Sequence, residues 1–511
     1  MVNLDKKNCW NYSKEIDLII IGAGPAGLFT AANIKNKKHV LVLEKNGSPG
    51  KKLLISGSGH CNMTHAGDIN EFFQHYGANS SFLKIALKQF SNNDLIAFFR
   101  EKGLGAMIDK NGKVFPRTGN ARDVLDILIN QCKSHKVAIN YNEAVSQVAV
   151  KDGRFWLQTK TNEYYCTNLL IATGGKSYPS SGSSGDGYVL AETLGHTIVS
   201  PQPALTPVFI KDYKFGEISG VSLANRSIYL YRDNKKLKEH CGDIGFTHTG
   251  LSGPGILDFS RYMKKKDLLK INFSNQERED FAGTLTEAIE TDGKISLGKF
   301  LKRYPIPLSL IKIILTELGL DRDEKLANIN KKLRNRISDS FCQYPFIIEN
   351  TGDFRIAMVT KGGISLPEVS AKTMESKLVK GLYFAGEVLD IDGDTGGYNI
   401  QAAFSTGCLA AFSITAAWPH FQSLLPARSH RGHDPKSSGK TTLLYKFLEQ
   451  IQNEQKLNVK FLDLRETFTN VYEDFLKTFF RVETTGEKKE TLSSNINVGF
   501  FKIDSSVGKN P

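Results

Sequence analysis

The segment Ile16–Glu44 carries residues whose types and spacing suit the capture of a pyrophosphate group. The glycine-rich stretch Gly22-Ala-Gly24-Pro25-Ala26-Gly27 follows at once on a short apolar run. In the dinucleotide fingerprint the first glycine permits a tight turn, the second lets the backbone approach a pyrophosphate, and the third allows close packing of helix on strand. The N-terminus of the following helix offers N–H groups and a positive dipole end to the phosphates.

Two strands and a helix must hold this turn. The run Asp17–Ile21 predicts a buried parallel strand, the Ala/Leu-rich segment Leu28–Lys37 predicts a helix, and Val40–Leu43 predicts a second strand that ends on Glu44. A carboxylate at the end of that strand can accept hydrogen bonds from ribose hydroxyls. The alternative is a membrane span over Ile16–Ile34, which three glycines, a proline and the short length disfavour.

The bulk composition is that of a soluble protein with more than one domain. The chain has 511 residues, 40% of them hydrophobic and 23% charged. Seven scattered cysteines, without a C-x-x-C, favour a reducing cytoplasm over a disulfide framework or a cysteine-ligated metal site. No signal peptide is visible in the polar first residues. The net charge of +13 comes from lysines spread along the chain, so we do not expect nucleic acid as a partner.

A second glycine-rich segment, Asn46–Thr64, follows the second strand directly. Clustered glycines and small hydroxyls can bring backbone N–H groups against a ligand, and neighbouring lysines add positive charge. The alternative is a long flexible loop. The residues of this region expected to contact the ligand are Lys45, Lys52, Ser56, Gly57, Gly59, Asn62 and Thr64.

The stretch Gly50–Thr64 resembles the signature of the BaiN-type family of NAD(P)/FAD-dependent oxidoreductases. The family pattern has Arg where this chain has His60 and Asn where it has His65. The resemblance covers roughly residues 14–416 and implies FAD as cofactor. It continues in an apolar strand that ends in Ala172-Thr173-Gly174-Gly175, the second element of two-part dinucleotide-binding flavoproteins.

The third matching element is the segment Gly381–Gln401. The resemblance implies that Gly386, Glu387 and Asp390 lie near the cofactor and that the start of the helix over Ile400–Ala417 points at the flavin ring, where its dipole stabilises the reduced anion. The alternative is a plain turn with acidic helix caps. The residues implied beside the ring are Gly396, Gly397, Tyr398, Asn399 and Gln401.

The remaining patterns predict an α/β fold with a discontinuous Rossmann-like FAD-binding lobe, residues 14–196 and 354–416. Alternating runs at Val137–Ile139, Val145–Val150 and Phe155–Gln158 predict a small β-meander within it. Strand-like runs predict an inserted β-barrel-like lobe over 197–275 and 342–353, and helical spacing predicts a helical lobe over 276–341 that is either a cap over a substrate cleft or a packed insert.

Only one side chain is a candidate for proton donation. His248 lies in the glycine-rich segment Gly245–Gly255, which the resemblance places in the barrel-like lobe facing the flavin. Most histidines of this kind only bond to the backbone, so the catalytic residues stay unassigned. Nothing in the sequence predicts a bound metal.

The C-terminal part carries a separate pattern. Residues 417–436 are rich in Pro, Ser, His and Arg and predict a linker. The stretch Asp434–Thr442 resembles the P-loop of an archaeal-type ATPase domain, with Asp434 where the full pattern has Gly. No Walker-B strand follows, so residues 437–511 are predicted to be a truncated P-loop-like segment or a disordered tail, and ATP is not expected as a ligand.

The sequence thus predicts a cytoplasmic FAD-dependent oxidoreductase that passes hydride from NAD(P)H through flavin to a small organic acceptor, one candidate being an activated C=C bond. The flavin supplies the difficult chemistry and the protein orients it. No second fingerprint follows a strand, so the nicotinamide is expected to bind transiently in the same cleft. The alternatives are a flavin-containing RNA-modifying enzyme, an oxidase, and a non-catalytic FAD-binding protein whose C-terminal segment binds a partner.

Overall fold

The computed structural model describes residues 16–34 and 39–417 and, near the C-terminus, the backbone of two short paired strands at residues 482–484 and 501–503. The chain forms two compact units, residues 1–425 and residues 426–511. The predicted linker and the P-loop-like stretch Asp434–Thr442 lie outside the described residues.

The helices and strands are numbered along the chain. The helices are α1 Pro25–Asn33, α2 Lys51–Ile55, α3 Ser80–Gln89, α4 Asn92–Glu101, α5 Ala121–Ser134, α6 Asp186–Thr193, α7 Pro254–Phe259, α8 Arg278–Asp292, α9 Leu297–Leu301, α10 Leu308–Leu318, α11 Lys331–Cys342 and α12 Tyr398–Ala417. The strands are β1 Ile16–Ile21, β2 Val40–Glu44, β3 Thr64–His65, β4 Ala106–Ile108, β5 Lys113–Pro116, β6 Ala138–Tyr141, β7 Gln147–Lys151, β8 Arg154–Gln158, β9 Glu163–Ile171, β10 Ile198–Ala204, β11 Val208–Ile210, β12 Ser222–Arg232, β13 Lys235–Phe246, β14 Gly250–Ser252, β15 Leu268–Ile271, β16 Tyr344–Thr351, β17 Val359–Ile364, β18 Leu382–Phe384, β19 Val482–Thr484 and β20 Phe501–Ile503.

A seven-stranded sheet organises the first lobe. Its order is β6-β2-β1-β9-β8-β7, with β18 also paired to β9. Strand β1 runs parallel to β2 and β9, with Ile20 opposite Val42 on one side and Leu170 on the other. Residues Leu18–Ile20 are fully buried, which explains why the strand is a continuous apolar run.

The predicted β-meander is correct for its second and third runs, β7 and β8, but wrong for its first run. Strand β6 pairs in parallel with β2, with Leu41 opposite Ala138, and extends the main sheet instead. Strands β7, β8 and the first half of β9 pair in antiparallel fashion. A four-residue alternating run carries no signal for its partner strand, so its place in the sheet could not be inferred locally.

Helix α1 packs closely against α12. Gly407 allows this approach, because a Cβ at that position would lie 2.7 Å from the carbonyl oxygen of Ala26. The Thr30 hydroxyl donates to the carbonyl of Gly407 at 3.0 Å. Phe29 contacts Phe90 and Phe404, with ring centroids 5.0 and 4.9 Å apart. These contacts fix the N-terminus of α12 relative to the glycine-rich turn before α1.

The inserted segment forms a closed barrel with strand order β11-β14-β13-β12-β15-β16. Helices α8 to α11 lie between β15 and β16 in the chain and share one apolar core with the barrel, built around residues such as Phe273, Phe281 and Phe341. Strands β10 and β17 pair antiparallel at the start and end of the insertion. The predicted α/β fold class, with a Rossmann-like lobe, a barrel and a set of helices, is confirmed, while the exact lobe boundaries stay a prediction.

Candidate functional site

The glycine-rich turn lies where the sequence predicts it, between β1 and α1. Gly22 has a φ of +104°, which favours glycine, whereas Gly24 has an ordinary φ of −83°. A Cβ on Gly24 would meet nothing within 4 Å, and a Cβ on Gly27 would lie 2.0 Å from the carbonyl oxygen of Gly22. Gly24 therefore keeps space open for a ligand, and Gly27 keeps helix and strand in contact.

A large cavity begins at this turn. Its volume is about 720 Å³, which is in the range of small-molecule and cofactor pockets. The predicted binding residues that line it are Gly22, Gly24, Pro25, Ala26, Glu44, Lys45, Lys52, Ser56, Gly57, Asn62, Ala172, Thr173, Gly174, Gly386, Glu387, Gly396, Gly397 and Asn399. All three motifs thus meet at one cavity although they are far apart in the chain.

Glu44 is fixed at the cavity wall by hydrogen bonds from its own surroundings. Its Oε2 accepts from the backbone N–H of Ala23 at 2.8 Å, and its Oε1 accepts from the backbone and side-chain nitrogens of Asn46 at 2.9 and 2.7 Å. An ionised carboxylate has further acceptor capacity, so it can still receive bonds from ribose hydroxyls. Lys45 instead extends to α6, where its Nζ lies 2.5 Å from Asp186 Oδ2.

The signature segment folds into helix α2 and a tight turn. Gly57 and Ser58 both have positive φ, 55° and 56°, and a Cβ on Gly57 would lie 2.9 Å from the backbone nitrogen of Asn62. Asn62 lines the cavity, and among the described residues its buried Oδ1 finds no hydrogen-bond partner. Gly59 and Thr64 do not line the cavity, since Thr64 is buried in β3 opposite Val114.

Two side chains of the signature segment have structural roles. His60 is directed at the carbonyl oxygen of Gly119, 2.6 Å from its Nδ1, and does not line the cavity. Burial raises the pKa of the Cys61 thiol to about 12, opposed by a hydrogen bond with Ser56, so this thiol stays protonated.

The third motif contributes both cavity residues and buried supports. Glu387 lines the cavity, forms an ion pair of 2.7 Å with Lys52 and accepts from the backbone N–H of Thr360 at 2.8 Å. Asp390 does not line it, because its Oδ1 accepts from the N–H of Gly362 at 3.0 Å. Gly175 is also behind the wall, where a Cβ would lie 2.4 Å from the Thr360 hydroxyl oxygen.

Tyr398 and Gln401, predicted beside the ring, are buried under the start of α12 instead. The Tyr398 ring is stacked between His65 and His75, with centroids 5.2 and 4.0 Å away. The Gln401 amide donates to the carbonyl oxygen of Phe90 at 3.1 Å. Both side chains hold the helix start in place and leave the cavity wall to Gly396, Gly397 and Asn399.

Residues of the barrel lobe supply part of the cavity wall. Pro254 belongs to the segment Gly245–Gly255, which the resemblance places facing the flavin, whereas Leu205, Leu257, Met358 and Val359 were not predicted to line the cavity. No residue type or spacing distinguishes these four positions from ordinary core residues. Tyr178, Asp394 and Thr395 also line it, and the last two lie in the acid-rich loop that the third motif contains.

A group of buried charges lies behind that loop. Arg261, only 8% exposed, places its Nη2 2.7 Å from Asp394 Oδ1 and its Nε 3.3 Å from Asp392 Oδ2. Asp394 also faces His75, whose Nδ1 lies 2.9 Å from its Oδ2. Asp258 accepts two hydrogen bonds from Thr395. Residues of the barrel lobe therefore hold the loop that precedes α12.

His248 lies elsewhere. It is exposed and lines a second pocket of about 550 Å³ on the barrel, together with residues such as Tyr213 and Lys265. The structure therefore does not bring His248 to the cavity where the three motifs meet.

Within the described residues, no group of three or more His, Cys, Asp or Glu side chains is arranged to hold a metal ion. A search of the same part of the chain finds no helix with the length and apolar character that crossing a membrane requires.

Comparison with known proteins gives relatives over most of the chain. A ribosomal RNA dihydrouridine synthase of Haemophilus influenzae is 35% identical over 408 residues, covering 78% of this chain and 98% of that protein. A 3-dehydro-bile acid delta(4,6)-reductase of Clostridium scindens is 30% identical over 407 residues, covering 76% of this chain and 97% of that protein.

A third relative matches only a short segment. The uncharacterized ATP-binding protein MJ1006 of Methanocaldococcus jannaschii is 38% identical over 72 residues, which are 14% of this chain and 19% of that protein.

The family assignment rests on a match to a family model. The sequence model of the HI0933-like protein Rossmann domain matches residues 16–413. Since this is more than half of the chain and includes all three motifs, the chain belongs to the HI0933-like family, the BaiN-type FAD-dependent oxidoreductases that its motifs resemble.

Proposed function

We propose that the protein is a reductase that passes hydride from NAD(P)H, through bound FAD, to a carbon–carbon double bond conjugated to a carbonyl group. The observation that carries this proposal is the cavity itself. One end is formed by the glycine-rich turn and Glu44, and another part of the wall is apolar and comes from Leu205, Leu257 and Met358. Such a cavity combines a part suited to phosphate and ribose groups with an apolar wall suited to an organic acceptor.

The residues present fit FAD. Gly24 leaves open space where a pyrophosphate would approach, and Glu44 retains acceptor capacity for ribose hydroxyls. The unpartnered Oδ1 of Asn62 is a buried acceptor that a ring N–H would satisfy. Gly396, Gly397 and Asn399, directly before and within the first turn of α12, would lie beside the ring. When bound, FAD supplies the hydride equivalent, while these residues orient it and the apolar wall excludes water.

The names of two relatives support the acceptor class. One makes dihydrouridine, in which the double bond next to a uracil carbonyl is saturated, and the other reduces unsaturated 3-oxo bile acids. Both double bonds are conjugated to a carbonyl, so hydride adds at the β-carbon and a proton at the α-carbon. The small-molecule acceptor and the cytoplasmic location stay proposals.

A uridine of ribosomal RNA is the second candidate acceptor. The Haemophilus relative, of which this chain covers 98%, carries that activity in its name. The net charge of +13 favours contact with a polyanion, and Lys51 and Lys113 line the cavity. The even spread of lysines along the chain argues against this candidate.

The test is an anaerobic spectral titration. The purified full-length chain loaded with FAD is expected to lose its visible flavin absorbance when NADH or NADPH is added, and to regain it when 2-cyclohexenone is supplied. Unmodified ribosomal RNA, added in place of the enone, tests the second candidate through dihydrouridine formation.

Other outcomes point to the alternatives. Flavin that neither nicotinamide reduces contradicts the proposed donor and favours a non-catalytic FAD-binding protein. Reoxidation by oxygen but by neither acceptor favours an oxidase. The Gly24→Val chain, which should not retain flavin, is the control for nonspecific reduction.

A further inference from the structure

Asp258, in α7, holds both the backbone and the side chain of Thr395. Its Oδ1 accepts from the Thr395 N–H at 2.6 Å, and its Oδ2 accepts from the Thr395 Oγ1 at 3.1 Å. Thr395 lines the cavity, and so does Leu257, the residue before Asp258. A carboxyl group of the barrel lobe therefore lies one hydrogen bond behind a hydroxyl group of the cavity wall.

The charges around Asp258 favour a bound proton. Three carboxyl groups, those of Asp258, Asp392 and Asp394, share the charge of one guanidinium, that of Arg261. The hydrogen bond from Arg261 goes to Asp394, which also contacts His75. Burial, and next the charge of Asp394, raise the pKa of Asp258 to about 7, opposed by the Thr395 bonds and by Arg261. Near neutral pH this carboxyl group can both hold and release a proton.

The titratable groups around it come from several elements. Those that act on Asp258 directly are Arg261, Asp394 and Tyr398. A second set of titratable groups lies farther from Asp258 and acts on Arg261, Asp392 or Asp394. This set consists of His75, His240 on β13, Lys361 on β17 and Asp390. Asp394 also lines the cavity, but its two carboxylate oxygens are already engaged by Arg261 and His75.

We propose that Thr395 donates the proton that completes reduction of the acceptor and that Asp258 is the proton reservoir behind it. This rests on the proposed function. The hydride supplied by the cofactor forms a C–H bond at the β-carbon, and the π electrons move onto the carbonyl oxygen as an enolate. When Asp258 is protonated, its Oδ2–H donates to Thr395 Oγ1, the reverse of the bond to the ionised carboxylate, so the Thr395 O–H can turn to the cavity. The enolate then takes the Thr395 hydroxyl proton at its α-carbon, the Asp258 proton moves to Thr395 Oγ1, and a proton from solvent later restores Asp258.

Several other donors line the cavity wall, and Tyr178 and Lys113 are the rivals that the test includes. Lys45 and Lys52 line it as well, but their ammonium groups form ion pairs with Asp186 and Glu387. Within the described part of the chain, no carboxyl side chain is hydrogen-bonded to the side chain of Tyr178 or Lys113, so each would transfer a proton without a reservoir. The proposal therefore differs from its rivals in the pH dependence that it predicts.

The kinetic test uses the FAD-loaded full-length chain, reduced anaerobically with dithionite and mixed with 2-cyclohexenone. Asp258→Asn keeps the size and one acceptor of the side chain but carries no transferable acid proton, and Thr395→Val removes the hydroxyl. Each is expected to slow flavin reoxidation roughly 10²–10³-fold, as is usual for loss of an acid catalyst, while reduction by dithionite is unchanged. Thr395→Ser should restore the rate, and Asp243→Asn, in the same lobe, should leave it unchanged.

The pH profile shows whether Asp258 supplies a proton or only holds Thr395 in place. The wild-type reoxidation rate should fall as pH rises through about 7, because Asp258 then loses its proton. In Asp258→Asn the rate should be low and flat. Variants that keep the wild-type rate and profile, with loss of rate in Tyr178→Phe or Lys113→Met, would overturn the proposal in favour of a rival.

A measurement without turnover decides the reservoir independently. Infrared difference spectra of the FAD-free chain should show protonated carboxylic acid absorbance that titrates near neutral pH. The part that titrates near 7 should be lost in Asp258→Asn, while that of Asp392, whose pKa burial raises to about 6, remains. A band unchanged in that variant would overturn the assignment to Asp258. A wild-type enzyme that reduces no conjugated carbonyl compound would contradict the proposed function, whereas the infrared titration would still decide where the proton is held.

Discussion

The Nζ of Lys52 lies 2.7 Å from the Oε2 of Glu387, although the two residues are 335 positions apart in the chain. This ion pair joins helix α2 of the signature segment to the Gly386-Glu387 turn after β18. Both side chains are largely buried, with 25% and 19% of their surface exposed. The pair therefore couples two of the three motifs at the cavity wall.

We expect the two residues to be coupled in their effect on stability. Lys52→Met and Glu387→Gln, separately and together, should show a coupling of about 1 kcal/mol in the free energy of unfolding, since the pair is only partly shielded from solvent. Urea unfolding of the FAD-free full-length chain measures it. Additive effects of the two substitutions would mean that the pair is not stabilising.

Gly24→Val should abolish FAD binding without unfolding the protein. The backbone at Gly24 is extended, and its Cβ would enter open space at the cavity, so the valine clashes with the ligand and not with the chain. We expect at least a hundredfold weaker FAD binding with unchanged circular dichroism. Gly283→Val, at an exposed site of α8 that is also open, is the matched control and should bind FAD normally. Full flavin loading of Gly24→Val would contradict the assignment of the turn to the pyrophosphate.

Gly27→Ala, in contrast, should destabilise the folded chain. Its Cβ would lie 2.0 Å from the Gly22 carbonyl oxygen, so α1 must move away from β1 and the packing on α12 is lost. We expect destabilisation of about 2–4 kcal/mol, as for overpacked cores and displaced backbone. Thermal unfolding monitored by circular dichroism measures it. A fully stable variant would show that helix α1 can shift without cost.

The sequence was sufficient to locate the glycine-rich turn, Glu44 and the three cavity motifs, because each is a local pattern with a backbone requirement. Gly24 leaves space free that a larger residue would fill, and Gly396 has a φ of +119°, which favours glycine. It could not place Tyr398 or Gln401, which lie within a motif but whose side chains turn into the core beside His75 and Phe90. Side-chain direction at a helix start depends on partners that are distant in sequence.

Residues without a local pattern were missed altogether. Leu205, Leu257 and Met358 are ordinary apolar residues, and only the placement of the barrel makes them part of the cavity wall. Arg261 is likewise an unremarkable residue in sequence, and its buried ion pairs to Asp392 and Asp394 arise from contact between lobes. Such sites depend on tertiary structure, which periodicity and spacing do not encode.

Arg261→Leu should be strongly destabilising. The substitution leaves the buried Asp392 and the half-buried Asp394 without their cation, and removing one partner of a buried ion pair costs about 3–5 kcal/mol. Arg355→Leu is the control, since its pair with Asp353 is exposed and should contribute far less to stability. Chemical unfolding at pH 7 compares them. Equal changes in the free energy of unfolding for the two substitutions would show that the ion pairs of Arg261 do not stabilise the fold.

Asp258→Asn should stabilise the protein relative to wild type as pH rises. Burial raises the pKa of Asp258 in the folded chain to about 7, well above the ordinary value of 3.8, so the folded state binds the proton more tightly than the unfolded state. The resulting stability is fully present below the ordinary value and is lost as pH rises through about 7. Between pH 5 and pH 8 the wild type should therefore lose roughly 1–4 kcal/mol more than the variant, as expected for one to three pKa units. Urea unfolding across this range measures the difference, with Asp243→Asn as the control, and a difference that does not change with pH would show that Asp258 is already ionised at pH 5.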